Sequence, residues 1–246
     1  MKGVVLAGGT GSRLQPLTKV TNKHLLPVGR YPMIYHAVAK LVEAGLDDIL
    51  VVTGTEHMGA VVGSLGSGHD LGIRLTYRVQ DQPGGIAQAL GLAAGFVGSE
   101  PFVVILGDNI FADPLGPVLE AYARQGGGAR IVLKEVPDPQ RYGVPVFEGG
   151  RLARIEEKPA LPGSRYAVTG IYCYDAAALE IIPRLRPSGR GELEITDVNN
   201  AYLRRGALEY SVLEGWWTDA GTHASWQQAN IYARDIILPL FGIARD

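Results

Sequence analysis

Five apolar residues, Phe102 to Leu106, run without a polar break into Gly107-Asp108-Asn109, and a second apolar run, Gly3 to Ala7, ends on Gly8-Gly9. A strand with one face in water alternates apolar and polar residues; a strand covered on both faces does not. Two such runs therefore predict the centre of a mostly parallel sheet with helices on both sides. The sequence between them supplies those helices. Met33, Ile34, Ala37, Val38, Leu41 and Val42 recur at helical spacing and stop before Gly45, and Asp48 to Thr53 reads as the next strand. A helix over His57 to Leu65, a strand over Arg74 to Val79 and a helix over Ile86 to Ala94 complete the first half.

From about Ala129 the pattern changes to shorter strands, Ile131 to Val136, Val144 to Phe147, Leu152 to Ile155 and Val168 to Tyr174, with Pro and Gly between them. No linker separates the halves, so one domain over residues 1–246 is expected, closed by a helix from Ser225 to Leu238. In open α/β sheets, ligands collect beyond the carboxyl ends of the strands. Gly8-Gly9 and Asp108 both stand at such ends.

Composition narrows the function. With 23 Lys+Arg against 25 Asp+Glu the formal net charge is −2, which gives no general attraction to nucleic acid or anionic lipid. Neither is expected as a partner, and any phosphate site must be local. The apolar run at the N-terminus is too short for a signal sequence or a membrane span. The single cysteine, Cys173, cannot form an intrachain disulfide and reads as a small buried hydrophobe in a reducing, cytoplasmic setting. The five histidines lack metal-ligand spacing and no nucleophile elbow is present, which argues against a zinc hydrolase or a serine esterase.

Leu6-Ala-Gly-Gly-Thr-Gly-Ser-Arg-Leu14 follows a buried strand, and its glycines would let several backbone N–H groups converge on an anion. It is neither a Walker loop nor the dinucleotide fingerprint, and a tight strand exit would explain it equally well. Arg13 and Lys23 add the mobile positive charge that a triphosphate needs. Asp108, and Asp219 in Trp-Trp-Thr-Asp-Ala-Gly-Thr, are of the type that holds a hard cation, although each alone also fits a turn. Glu157-Lys158-Pro159 presents a carboxylate and an ammonium at a strand end, suited to a sugar and its phosphate or equally to a solvated pair. Arg190 to Asp197 reads as an acid-rich helix N-terminus capped by Thr196 or Asp197.

Together these segments, with Asn22-Lys-His-Leu-Leu-Pro27, Tyr31-Pro-Met-Ile34, Tyr77-Arg-Val-Gln80, Gly85-Ile-Ala-Gln-Ala89, Tyr142-Gly-Val144 and Ala167-Val-Thr-Gly-Ile171, resemble the sugar nucleotidyltransferase family over nearly the whole chain. The resemblance implies a Rossmann-like three-layer αβα nucleotidyltransferase fold with a mixed, mostly parallel central sheet. It divides the domain into a mainly nucleotide-binding half (1–128) and a mainly sugar-phosphate-binding half (129–246).

The resemblance also implies roles. Arg13, Lys23, Asp108, Lys158 and Asp219 would be catalytic, and Asp108 and Asp219 would hold Mg2+. Leu6, Gly8, Gly9, Gly11, Gln80 and Gly85 would bind the nucleotide, the last two by reading a pyrimidine. Asn109, Tyr142, Gly143, Glu157, Lys158 and Gly170 would hold the sugar phosphate. The expected reaction is thymidylyl transfer from dTTP to glucose 1-phosphate; a UTP-using enzyme and a non-catalytic nucleotide-sugar sensor are the alternatives. Family members commonly form homo-tetramers, which is expected here. His24 and Arg30 read as tolerated variation, and the ending at Asp246 leaves no expectation of the regulatory site that longer members build from further helices.

Overall fold

In the computed structural model, which describes residues 1–242, the first half runs β1 (Lys2–Ala7), β2 (Pro27–Val28), β3 (Tyr31–Pro32), α1 (Met33–Glu43), β4 (Asp48–Gly54), α2 (Met58–Leu65), β5 (Arg74–Gln80), α3 (Ile86–Gly91), α4 (Ala94–Val97), β6 (Phe102–Leu106), β7 (Asn109–Phe111) and α5 (Gly116–Gln125). The second half runs β8 (Ala129–Glu135), β9 (Gly143–Glu148), β10 (Arg151–Glu157), β11 (Tyr166–Tyr174), α6 (Ala177–Ile181), α7 (Ile195–Arg204), β12 (Leu208–Val212), β13 (Trp217–Asp219) and α8 (His223–Tyr232). Among the described residues one mixed, mostly parallel sheet has the order β10-β9-β11-β6-β1-β4-β5, with β8 pairing both β11 and β12.

The unbroken apolar runs lie where their composition demands. β1 sits between β6 and β4, parallel to both, with Val4 opposite Val104 and Leu50. Successive side chains leave a strand on opposite faces. Val4, Leu6, Phe102 and Val104 accordingly pack under α3, α4, α6 and α7, while Val5, Ala7, Val103 and Ile105 pack under α1, α2 and α5. Each fully buried Val, Leu or Ile contributes roughly 1.5–3 kcal/mol, so this doubly covered centre is the main stabiliser of the fold. Cys173, on β11, is buried and its thiol is pushed up to about 12 by burial, consistent with an inert core residue.

The structure departs from expectation at several boundaries. The helix expected over Ile86 to Ala94 is two short helices, since a tight turn, with Leu92 and Ala93 bonding back to Ala89 and Leu90, follows Gly91. The closing helix spans His223–Tyr232 rather than Ser225 to Leu238. It starts early because Thr222 and Ser225 form a reciprocal capping box. Leu238 then precedes Pro239, which disfavours helix, and its N–H is taken by the Tyr31 hydroxyl at 3.1 Å. α7 begins at Ile195, so Glu194 occupies the N-cap position, but its side chain pairs with Ser188 and Arg190 and makes no capping bond. Asp197 lies in its first turn, and Thr196 is turned to another partner. β2, β3, β7, α5, α6, β12 and β13 have no counterpart among the expected elements.

Candidate active site

β1, β5 and β6 run in the same direction and end together, at Ala7, Gln80 and Leu106. Beyond those ends lies a cavity of about 530 Å3. All the candidate residues except Gly11 border it: Leu6, Gly8, Gly9, Arg13, Lys23, Gln80, Gly85, Asp108, Asn109, Tyr142, Gly143, Glu157, Lys158, Gly170 and Asp219. Gly11 instead shapes the loop from behind. A Cβ there would lie 2.9 Å from Thr18, whose hydroxyl donates to the Gly11 carbonyl at 2.8 Å.

The floor is a charged cluster. Lys23 Nζ lies 2.5 Å from Asp108 Oδ2, and Asn109 Nδ2 donates to Asp108 Oδ1 at 3.0 Å. Burial, the largest single influence, pushes the Asp108 carboxyl upward, but the charge and hydrogen bond of Lys23, together with His24 and the bond from Asn109, hold the group well below the usual carboxylate range. Asn109 is itself fixed, its Oδ1 accepting from Trp217 Nε1 at 2.7 Å and Gly170 N at 2.8 Å. Asp219 Oδ1 accepts from the Tyr142 hydroxyl at 2.9 Å and from Arg141 at 3.2 Å. Burial and the neighbouring Asp108 charge raise the Asp219 carboxyl in spite of those donors.

Gly221 shows how the two aspartates meet. A Cβ on it would lie 3.5 Å from Asp219 Oδ2, 3.6 Å from Asp108 Oδ2 and 3.5 Å from Arg13. Two mutually repelling carboxylate oxygens facing one small space fit a hard cation that completes its shell with water and phosphate. No third carboxylate, histidine or cysteine joins them among the described residues.

On the nucleotide side, Gln80 Nε2 donates to Gln88 Oε1 at 2.7 Å, and Gln88 Oε1 also accepts from Gly84 N. This fixes the Gln80 amide with its Oε1 against Gly8, where a Cβ would come within 2.4 Å. On the opposite wall Glu157 is held by the Thr196 hydroxyl at 2.6 Å and by Arg190 at 3.1 Å. Lys158 adopts a left-handed backbone (φ 45), its N–H donating to the Tyr142 carbonyl at 2.9 Å. That kink at the end of β10 brings Glu157 and Lys158, neighbours in sequence, to the same cavity.

Arg141, Arg190, Thr196, Trp217 and His24 also border the cavity. Arg190 and Thr196 fell within a segment read as a helix start, and no local pattern marked Arg141 or Trp217. His24 lies under the charged floor, 1% exposed, its Nδ1 2.8 Å from Asn22 Oδ1. Burial, aided by the Lys23 charge, lowers it to about 3. A neutral buried histidine must gain a proton on unfolding below its ordinary pKa of about 6.5. Stability should therefore fall as pH drops from about 6.5 toward 3, by up to about 1.4 kcal/mol per pH unit from this group. Denaturant melts across that range should show a shallower slope in His24→Gln. His36, lowered for the same reason, leaves a residual slope, and identical slopes would refute the assignment to His24.

Comparison with known proteins agrees with this geometry. Residues 2–235 match the family described as Nucleotidyl transferase. A glucose-1-phosphate thymidylyltransferase of Neisseria meningitidis is 44% identical over 96% of this chain and 83% of its own length, and one from Xanthomonas campestris is 46% identical over 93% and 79%. A Bacillus anthracis crystal structure, provisionally assigned as a glucose-1-phosphate thymidylyltransferase and solved with sucrose, superposes with a TM-score of 0.93 at 61% identity over 96% of each chain. A UDP-glucose pyrophosphorylase with UDP-glucose is more distant, with a TM-score of 0.84 at 25% identity over 94% of this chain and 97% of its own. A match across nearly its whole length, at such identities, makes this chain a member of the nucleotidyl transferase family.

Proposed function

We propose that this protein transfers a thymidylyl group from dTTP to α-D-glucose 1-phosphate, giving dTDP-glucose and pyrophosphate, with Mg2+ as its metal. The observation that carries the reading is the single cavity bordered on one side by the glycine loop, Arg13, Lys23 and Gln80, and on the other by Tyr142, Glu157 and Lys158. It has room for two anions side by side, with cations on both walls. The thymidylyltransferase relatives supply the base and the sugar.

In this reading a sugar-phosphate oxygen attacks the α-phosphorus in line. One P–O bond forms as the bond to pyrophosphate breaks, the leaving oxygen keeps the electron pair, and no proton changes place. The chain's work is then to bring two anions together and hold them aligned, which requires fixed positive charge and no general base. Arg13 and Lys23 hold the triphosphate, Lys158 holds the attacking phosphate, and Glu157 accepts from sugar hydroxyls. Gln80, its NH2 engaged by Gln88, offers Oε1 to the imide N–H of a pyrimidine. Asp108 and Asp219 would hold the divalent cation, which when bound neutralises charge on the phosphate oxygens. Leu6, Gly8, Gly9 and Gly85 complete the nucleotide side, with Gly11 shaping the loop, and Asn109, Gly143 and Gly170 complete the sugar side.

The same reading assigns residues 1–128 mainly to the nucleotide and 129–246 mainly to the sugar phosphate. It extends to a cytoplasmic homo-tetramer feeding dTDP-rhamnose synthesis. Among the described residues no helix is long and apolar enough to cross a membrane. The test is pyrophosphate release with Mg2+ across dTTP, UTP, CTP, ATP and GTP against glucose, galactose and mannose 1-phosphates. The fastest turnover is expected for dTTP with glucose 1-phosphate. A clear preference for UTP would move the assignment to a uridylyltransferase, and no turnover from folded protein would leave a sensor.

A further inference from the structure

Asp219 uses its two oxygens differently. Oδ1 accepts from both Arg141 and Tyr142, adjacent residues that lead into β9, while Oδ2 faces the space over Gly221 that it shares with Asp108 Oδ2. Arg141 is braced from the other side. Its Nη1 lies 2.8 Å from Asp138 Oδ2, and its guanidinium carbon is 5.2 Å from the centre of the Tyr142 ring. A one-turn helix over Pro139–Arg141 fixes the backbone beneath it, with the Tyr142 N–H bonded to the Pro139 carbonyl at 3.0 Å.

We propose that Arg141 is a positioning residue for the cation site: braced against Asp138, it turns Oδ1 of Asp219 away from the cation and so presents Oδ2 alone. The inference rests on reading Asp219 as a metal ligand. Arg141 borders the cavity, so a direct contact to substrate phosphate is the competing role. Its fork, however, is divided between two carboxylates. Each terminal nitrogen is thus already committed to a carboxylate, which fixes the guanidinium in the bracing orientation. A guanidinium is suited to the bracing role because its planar donors hold two acceptors in fixed directions, which an ammonium does not.

The sign of one measurement separates positioning from simple charge. Removing a cation beside a carboxylate should, by Coulomb's law alone, tighten binding of a divalent cation. Loss of an orienting partner should weaken it, and outer partners of this kind are worth roughly 10- to 100-fold in metal affinity. Mn2+ binding to the substrate-free full-length protein, read by electron paramagnetic resonance of the free ion, is the assay. Arg141→Gln should weaken Mn2+ binding by about tenfold or more. Arg141→Lys, which keeps the repelling charge and loses the fork, should weaken it by at least as much. If Arg141→Gln does not fold, as judged by thermal melting, Arg141→Lys carries the test. Unchanged or tighter Mn2+ binding in the folded variants overturns the proposal, and a raised KM for glucose 1-phosphate with Mn2+ binding intact would assign Arg141 to the substrate instead. Asp219→Asn runs alongside. If it leaves Mn2+ binding unchanged, the ligand reading of Asp219 fails, and the proposal with it.

Discussion

Asp108→Asn should lower turnover at least a thousandfold and also lower the melting temperature, and a double mutant separates the two effects. The activity loss follows from removing a cation ligand that neutralises transferring phosphates. That contribution is several kcal/mol, and each 1.4 kcal/mol is a factor of ten. The stability loss has a different origin. Lys23 and Asp108 are paired at 2.5 Å with side chains only 14% and 13% exposed. Asparagine keeps a bond to Lys23 but leaves its charge uncompensated. Breaking a buried pair costs roughly 3–5 kcal/mol, and this slightly open one about 2–3. For a chain of this length that is a fall of roughly 4–12 °C. Removing both charges, as Lys23→Met with Asp108→Asn, should recover most of the melting temperature, because replacing a whole buried pair is often neutral. It should recover no activity. Stopped-assay turnover and thermal melts on the wild type and the two variants check this, and more than a tenth of wild-type turnover in Asp108→Asn would sink the cation role.

The part of this site that could be read from sequence is the part that composition writes locally. β1 and β6 are legible because a strand covered on both faces has no polar residue to hide, and their last residues place Gly8 and Asp108 beyond the same end of one sheet. The Glu157-Lys158 pair was visible as charge at a strand end, though alternation along a strand would send the two side chains apart. Only the left-handed backbone at Lys158 brings both to the cavity. What could not be read depends on pairing distant, short elements. β7 and β13 are three residues each, and their antiparallel contact, Asn109 opposite Asp219, brings the two aspartate segments together. No periodicity survives in three residues. Arg141 was unreadable for a related reason, since its two acceptors lie three residues away and seventy-eight residues away. The capping of α7 differs from the expectation because Thr196, a good cap by chemistry, is drawn instead to Glu157 beside it on the same wall of the cavity. There tertiary pairing outweighs local preference.

Gly85→Ala should be the most damaging single-methyl change in the site. The β5–α3 loop meets the segment before α7 at this residue: Leu193 N donates to the Gly84 carbonyl at 2.8 Å, and Ala87 N to the Leu193 carbonyl at 3.1 Å. Between those bonds, a Cβ on Gly85 would stand 2.5 Å from the Leu193 carbonyl oxygen and 2.8 Å from its nitrogen, both backbone atoms already engaged. Gly85 also has φ +100, which an L side chain rarely adopts. With ψ 170 this backbone lies in an extended region that is essentially glycine-only, and strain of about 1–3 kcal/mol with overpacking of about 1–3 kcal/mol together predict a loss of about 3 kcal/mol. That corresponds to a fall in melting temperature of roughly 6–12 °C. Because the Gly84 N–H and Gln80 Nε2 share Gln88 Oε1, forcing the loop outward also turns the Gln80 amide, so the KM for dTTP should rise several-fold. Gly45→Ala is the matched control. It too has positive φ (+82), but its Cβ would meet nothing within 4 Å, so it should show the strain alone and unchanged kinetics. Were Gly85→Ala no worse than Gly45→Ala in melting and in dTTP KM, the contact with Leu193 would carry neither the stability nor the nucleotide binding, and the two halves of the chain would meet at the cavity without depending on one another there.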